Sequence, residues 1–513
     1  MSAPDTSTED HGADANYAAR SGAVQVLTIL AQAVITGGQI VFARLYGKAT
    51  YGAYLAALAV VEVFARGSVA GADKAMLRYV AAFRSQGDAA GVRSALGTGL
   101  RLQLAVSAVA AVAITLAAPW LAATLLHNAS LAPALRVLAP LPLVMGALFV
   151  LIQGSLAARV TRVNFFVRGL AEPSLLLVGG VLAWGLGGGL RGLAAAHLAS
   201  YVITLAIAIL VVRQSFRPEE TRRLLAAPRL RGFTRFAAPM AIGDMLNAVV
   251  QRADMIILTT LRGPEAAALY GAAELVTRAI SNIRYAFDSI VAGVLSEAWH
   301  AGDLPRLRYN LAMSVRWVIS VAAPIAVTVI VLRLELLTLM FGASYGAAAA
   351  VITALALGHV VNSSLGLTGW ALMVAGRSGL GLFNQVVAVA FNIPAAYFLT
   401  IRYGAPGAAM AALGTSLVLQ GAMVAEAAYL VRVHPFSLAL CKPLAAGLAA
   451  FLVERLVRDA VSQPAVRIAA VMGAGLATYA LALLALGLPT EERRILGRVL
   501  DATVRRRRAR GAG

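Results

Sequence analysis

Thr124-Leu125-Leu126-His127-Asn128-Ala129-Ser130 returns 214 positions later as Thr338-Leu339-Met340-Phe341-Gly342-Ala343-Ser344, identical at four of seven positions. Leu45, Gly47, Tyr54, Ala56 and Ala57 recur as Leu261, Gly263, Tyr270, Ala272 and Ala273 at an offset of 216. Gly192, Ala194, Ala196 and Leu198 recur as Gly407, Ala409, Ala411 and Leu413 at 215. One match would mean little in a chain so rich in Ala and Leu. Three blocks in the same order at near-constant spacing read as an internal duplication. In an apolar chain a repeat of this length predicts two like helical bundles facing each other, a transporter architecture.

Composition sets the class. The 513 residues are 60% hydrophobic and 13% charged, with a mean hydropathy of +0.77, which leaves too little polar surface to coat a soluble globule. The expected fold is all-α and polytopic, with about 14 transmembrane helices. Apolar stretches of spanning length fall near 21–43, 51–71, 95–118, 135–157, 170–190, 192–213, 236–260, 266–295, 311–332, 348–374, 380–401, 405–431, 438–457 and 466–488. The predicted organisation is a disordered cytoplasmic lead (1–18), an N-lobe of helices 1–6 (19–213), a cytoplasmic linker (214–235) and a C-lobe of helices 7–12 (236–432). Helices 13 and 14 (433–488) and a basic cytoplasmic tail (489–513) complete it.

Lys and Arg are retained in cytoplasmic loops, and about thirty of the 44 fall in the N-terminal segment, the even-numbered connections and the tail. Both termini are therefore expected in the cytoplasm. The linker, with Arg213, Arg217, Arg222, Arg223, Arg229, Arg231 and Arg235, carries much of that bias. Topology and anionic lipid thus account for the net charge of +20, and membrane lipid, not nucleic acid, is the expected partner. The acidic lead (Asp5, Glu9, Asp10, Asp14) lacks the pattern of a secretory signal. In the tail, Ile495, Leu496, Val499, Leu500 and Val504 beside Arg505 to Arg508 fit either a helix on the inner leaflet or a disordered basic tail.

Several motifs carry no chemistry. Gly187-Gly188-Gly189-Leu190-Arg191-Gly192 matches a dinucleotide fingerprint but has no preceding strand, so it reads as a turn between membrane helices. Asn128-Ala129-Ser130 matches a glycosylation acceptor without supporting context. Cys441 is the only cysteine, and the six histidines (His11, His127, His197, His300, His359, His434) have no ligand spacing. The expectation is no enzyme, no metal and no cofactor.

The informative residues are polar ones inside apolar spans. On the seventh span Asp244, Asn247, Gln251 and Asp254 share one helix face. On the first, Gln25, Thr28, Gln32, Thr36 and Gln39 form an uncharged stripe, and Gln32, Thr36 and Gln39 map onto Asn247, Gln251 and Asp254 at 215. The second span carries Tyr54, Glu62 and Arg66, and the eighth Tyr270, Glu274, Arg278 and Asn282, with Glu62 mapping onto Arg278. Each ionised group facing hydrocarbon costs roughly 2.5–3.5 kcal/mol, so these must pair or line a wet cavity. Glu62 with Arg66 and Glu274 with Arg278 have i, i+4 spacing for pairing, as do Arg284 and Asp288. Arg252 lies opposite Asp254 on its helix. His359, Asn362, Asn384, Gln385 and Asn392 occur singly and read as helix-packing hydrogen bonds.

Phe236-Ala237-Ala238-Pro239, Asp254-Met255-Ile256-Ile257-Leu258, Gly263, Tyr270-Gly271-Ala272-Ala273 and Leu339-Met340-Phe341-Gly342-Ala343-Ser344-Tyr345, with two helices beyond the repeats, resemble the multidrug/oligosaccharidyl-lipid/polysaccharide exporter superfamily and, within it, the bacterial polysaccharide flippases. The resemblance covers nearly the whole chain. It implies two six-helix lobes around a cavity lined by helices 1, 2, 7 and 8, in the bacterial cytoplasmic membrane. It also implies alternating access that carries a polyprenyl-pyrophosphate-linked oligosaccharide outward, alongside glycan-assembly machinery. Arg66, Arg278 and Arg284, with Gln251, Asn247 and Asn282, would then receive the pyrophosphate and line the cavity. Asp254, Glu62, Glu274 and Asp244 are the candidates for coupling to H⁺ or Na⁺. The resemblance to lipid II flippases is weaker, because the first span has no arginine in its interior. An ion-coupled multidrug antiporter of the same superfamily is the alternative. A membrane glycosyl polymerase or ligase would carry a large outer loop, and no outward connection here approaches that size.

Overall fold

The computed structural model describes residues 7–158, 164–377 and 379–487, with side chains from Val34 onward apart from isolated positions. The first six residues of the lead, the basic tail, and the side chains of Gln25, Thr28 and Gln32 lie outside the described residues. Every described element is helical. The order is α1 (Ser7–Ser68), α2 (Ala72–Ser85), α3 (Ala89–Trp120), α4 (Ala132–Leu138), α5 (Leu141–Ala157), α6 (Glu172–Gly185), α7 (Gly189–Ser215), α8 (Pro218–Thr221) and α9 (Phe233–Arg262). There follow α10 (Pro264–His300), α11 (Leu304–Val331), α12 (Arg333–Phe341), α13 (Ala349–Leu365), α14 (Thr368–Val374), α15 (Gly379–Tyr403), α16 (Ala405–Glu426), α17 (Cys441–Ala460) and α18 (Pro464–Ala485). Among the described residues nine helical stretches are long and apolar enough to cross a membrane, and Gly169–Gly185 is a shorter apolar one. The protein is an all-α, multi-pass membrane protein. α9, α10 and α17 have the length to span, but charged side chains such as Asp244, Arg252 and Asp254 of α9 lower their apolarity.

The repeated residues do the same local work in both halves. Gly47 breaks α1 at φ 70°, ψ 170°, and Gly263, its counterpart, separates α9 from α10 at φ 80°, ψ 176°. That region of backbone space is open essentially to glycine alone. Gly87 and Gly302 turn the chain at φ 71° and 69°. The next residues, Asp88 and Asp303, cap α3 and α11 by accepting from Gly91 N at 2.8 Å and Arg306 N at 2.9 Å. An N-cap aspartate satisfies a backbone donor that the first turn leaves orphaned. The block around Asn128 also has a structural role: Asn128 Oδ1 accepts from Ser130 N at 3.1 Å and opens a 3₁₀ turn, as Gly342 does in the other half.

The chain divides into two compact units. The first holds residues 1–275, 340–351 and 379–415. Its core gathers Met76 and Val80 of α2, Leu96 of α3, Leu148 and Ile152 of α5, Val212 of α7 and Phe233 of α9, all nearly inaccessible to solvent. The segment after α7 is strapped to this core. Glu220 caps α8 and accepts from Arg84 at 3.3 Å, while Arg101 of α3 donates to the carbonyls of Leu225 and Ala227 at 2.8 and 2.6 Å. In the same unit α9 packs on both α1 and α15. The second unit holds residues 276–339, 352–378 and 416–513. There α17 and α18 form a hairpin that packs on α11. Val331, Leu332 and Val471 form one apolar cluster, and Ala446, Ala450 and Tyr479 another.

Candidate functional site

Three polar tiers follow one another along α9, all within the first unit. Asp244 pairs with Lys74 of α2, where the chain makes a close approach. A Cβ on Gly71, just before α2, would overlap the carbonyl oxygen of Ala237. Eight residues on, about 12 Å along the helix at 1.5 Å per residue, Arg252 Nε meets Glu62 Oε2 of α1 at 2.6 Å. Both side chains are less than a third exposed. The short i, i+4 reach anticipated between Glu62 and Arg66 is not used. Arg66 is exposed, with its guanidinium 4.6 Å from the centroid of the Phe149 ring, a favourable cation–π placement. Glu62 takes the arginine of the neighbouring helix instead.

The third tier is Asp254, 5% exposed. It points away from α1 toward α15, as its position nearly opposite Arg252 requires. Asn392 Nδ2 donates to its Oδ1 at 3.0 Å, and Tyr270 Oη donates to its Oδ2 at 3.5 Å. The same Asn392 amide reaches Thr415 Oγ1 at 3.0 Å. Both hydrogen-bond partners of the acid are neutral, and Asn392 Oδ1 is buried without a partner. A buried carboxyl beside an orphaned acceptor is short of positive charge. The equivalent residue in the first half, Gln39, accepts from Tyr51 at 3.0 Å. At this pair of matched positions the first half carries a neutral amide and the second an acid.

Asn247 is half-buried and Gln251 exposed, and among the described residues neither side chain makes a hydrogen bond. Glu274 is half-buried on α10. In the second unit Arg278 and Asn282 are half-buried on α10. Arg284 has the anticipated i, i+4 contact with Asp288 at 3.4 Å and also reaches Asn362 Oδ1 of α13 at 3.4 Å. Trp370 donates to Asp288 at 2.8 Å and Gln420 to Asn362 at 2.9 Å. Arg284 is therefore held in a helix-packing network, and Asn362 has the packing role its isolation in the sequence implies.

Two residues of the tiers were not among the sequence candidates. Lys74 lies just past the apolar second span, where a charge draws no attention. Asn392 reads from the sequence as a packing residue, and the signal available for more is an amide two residues before Pro394 in an otherwise apolar helix.

Residues 41–350, more than half of the chain, match the family described as "Polysaccharide biosynthesis protein". A solved structure of "Lipid II flippase MurJ, inward closed conformation" superposes with a TM-score of 0.70 at 14% identity, over 90% of this chain and 97% of that one. The inward-facing conformation of a multidrug resistance MATE family transporter of the MOP superfamily gives 0.62 at 16%, over 76% and 92%. MATE in the straight conformation gives 0.58 at 16%, over 79% and 93%. At these identities the likeness is one of fold. No curated protein sequence matches the chain.

Proposed function

The chain belongs to the polysaccharide biosynthesis protein family, and from that premise we propose that it is a flippase moving a polyprenyl-pyrophosphate-linked oligosaccharide across the bacterial cytoplasmic membrane for cell-surface polysaccharide synthesis. The mechanism is alternating access, in a chain of 14 spans built as two six-helix repeats plus two C-terminal helices, with both termini cytoplasmic. Matched glycine and aspartate geometry at an offset of 215 or 216 supports the repeat. No enzymatic reaction is assigned.

The observation that carries the transport reading is Asp254: a buried acid with neutral partners and an orphaned acceptor beside it. An ionised carboxyl is costly there, and a proton or a small cation such as Na⁺ would relieve it. Asp254 is the coupling site, while Glu62 and Asp244, already paired with basic side chains, hold helices together. Arg66 and Arg278 each serve as donors to pyrophosphate oxygens, since a planar guanidinium offers forked hydrogen bonds.

The multidrug antiporter is the second reading, and fold alone supports it. The lipid II flippase structure covers 90% of this chain against 76% for the inward-facing MATE structure, which favours a lipid-linked cargo. Deleting the gene tests the choice. Loss of a surface polysaccharide with its lipid-linked precursor accumulating on the inner leaflet is expected, without sensitisation to cationic dyes. Dye sensitivity with intact polysaccharide would overturn the proposal.

A further inference from the structure

Glu454, on α17 beyond the repeats, is a second buried acid, and none of the coupling roles above uses it. Its side chain is inaccessible to solvent. Thr328 of α11 donates to Oε1 at 2.7 Å, and Oε2 is buried with no partner. The same oxygen that accepts from Thr328, Oε1, lies against the backbone of α18 at Gly475, where a Cβ would overlap it. Three helices thus shape a slot for one carboxyl group.

The charges nearby are committed elsewhere. Arg458, one turn further along α17, and Arg467 of α18 both bind Glu335 of α12, at 2.9 and 3.1 Å. α18 carries Tyr479, which packs with Ala446 and Ala450, and α11 adds the neutral hydroxyl of Thr328. Among the described residues no basic side chain pairs with Glu454. One hydrogen bond from a hydroxyl does not offset the cost of removing a carboxylate from water. The neutral acid fills the same slot without the cost of burying an unpaired charge.

We propose that Glu454 is a proton-binding site that carries its proton while α17 and α18 are packed on α11. Losing the proton forces the carboxylate to draw in water or leave the slot. Either change separates α18 from α11 and α17 at Gly475, so proton release and loosening of this hairpin are one event. The inference is independent of the cargo and of the role of Asp254.

Glu454→Gln tests it, because the amide keeps the bond from Thr328 and cannot titrate. Purified full-length protein in detergent at neutral pH should show an infrared band of a protonated carboxyl that the variant lacks, and that Asp254→Asn retains in part. The wild type should also lose thermal stability on alkalinisation, and Glu454→Gln should lose less. A wild-type band unchanged by Glu454→Gln, or an identical alkaline loss in both proteins, overturns the proposal. If the variant does not fold, isotope labelling of glutamate carboxyls in the wild type reads the same band: a protonated glutamate supports the proposal and its absence refutes it.

Discussion

Arg252 of α9 and Glu62 of α1 form a 2.6 Å ion pair between residues that are 190 positions apart. Breaking a partly buried pair leaves the survivor unsatisfied, which costs more than losing both charges. Arg252→Met or Glu62→Gln alone should lower stability by about 1–3 kcal/mol, and the double substitution by less than either sum. Thermal unfolding in detergent across the four proteins measures the coupling. Strict additivity would mean that the pair contributes nothing.

Asp254 and Asp244 should behave differently. Asp254→Asn is expected to remove the dependence of transport on pH or Na⁺, and Asn392→Ala to weaken it, because both act at the uncompensated acid. Asp244→Asn, which only releases Lys74, should change the rate and leave the ion dependence intact. Transport assays in proteoliposomes under imposed gradients distinguish the two. Unchanged ion dependence in the Asp254 variant would move coupling elsewhere.

Arg66→Ala and Arg278→Ala should each abolish glycan export while the protein remains in the membrane at wild-type level. Arg66 has its guanidinium over Phe149, so some loss of packing accompanies its removal; Arg66→Lys keeps the charge and should restore little if forked donation matters. Surface polysaccharide staining with a membrane immunoblot gives the answer. Normal export from the double alanine variant refutes the assignment.

Gly47→Ala and Gly263→Ala should each cost about 1–3 kcal/mol of stability through backbone strain. A Cβ at either position meets nothing within 4 Å, so no clash contributes. Gly37→Ala, at a helical position with equally open space, serves as the control and should be neutral or slightly stabilising. Equal melting temperatures for Gly37→Ala and Gly263→Ala would contradict the strain argument.

Glu335 sets an acid limit. Burial pushes its carboxyl upward, but hydrogen bonds from Arg458 and Arg467 outweigh this and hold it below the ordinary value of 4.5. A carboxyl with a depressed folded pKa contributes stability that is present above its ordinary value and is lost as pH falls through the folded one. Stability of the wild type should therefore drop on acidification below about 4.5, and Glu335→Gln should flatten that drop. Melting temperatures measured over an acid series would show it, and parallel curves would remove Glu335 from the account.

Membrane character and helical class were legible in the chain, because apolar run length and residue spacing are local properties that need no partner. The three recurring blocks have a fourth companion: Gly87-Asp88 and Gly302-Asp303 lie at an offset of 215 and make the same turn and cap. The polar faces could also be read from helical periodicity. What each face meets could not. Spacing along one helix proposes i, i+4 partners, so it favoured Glu62 with Arg66. Packing of α9 on α1 supplied Arg252 instead, and packing of α9 on α15 gave Asp254 an amide in place of a cation. Which charge is compensated by a cation and which is not depends on residues more than a hundred positions away, and only the tertiary structure brings those together.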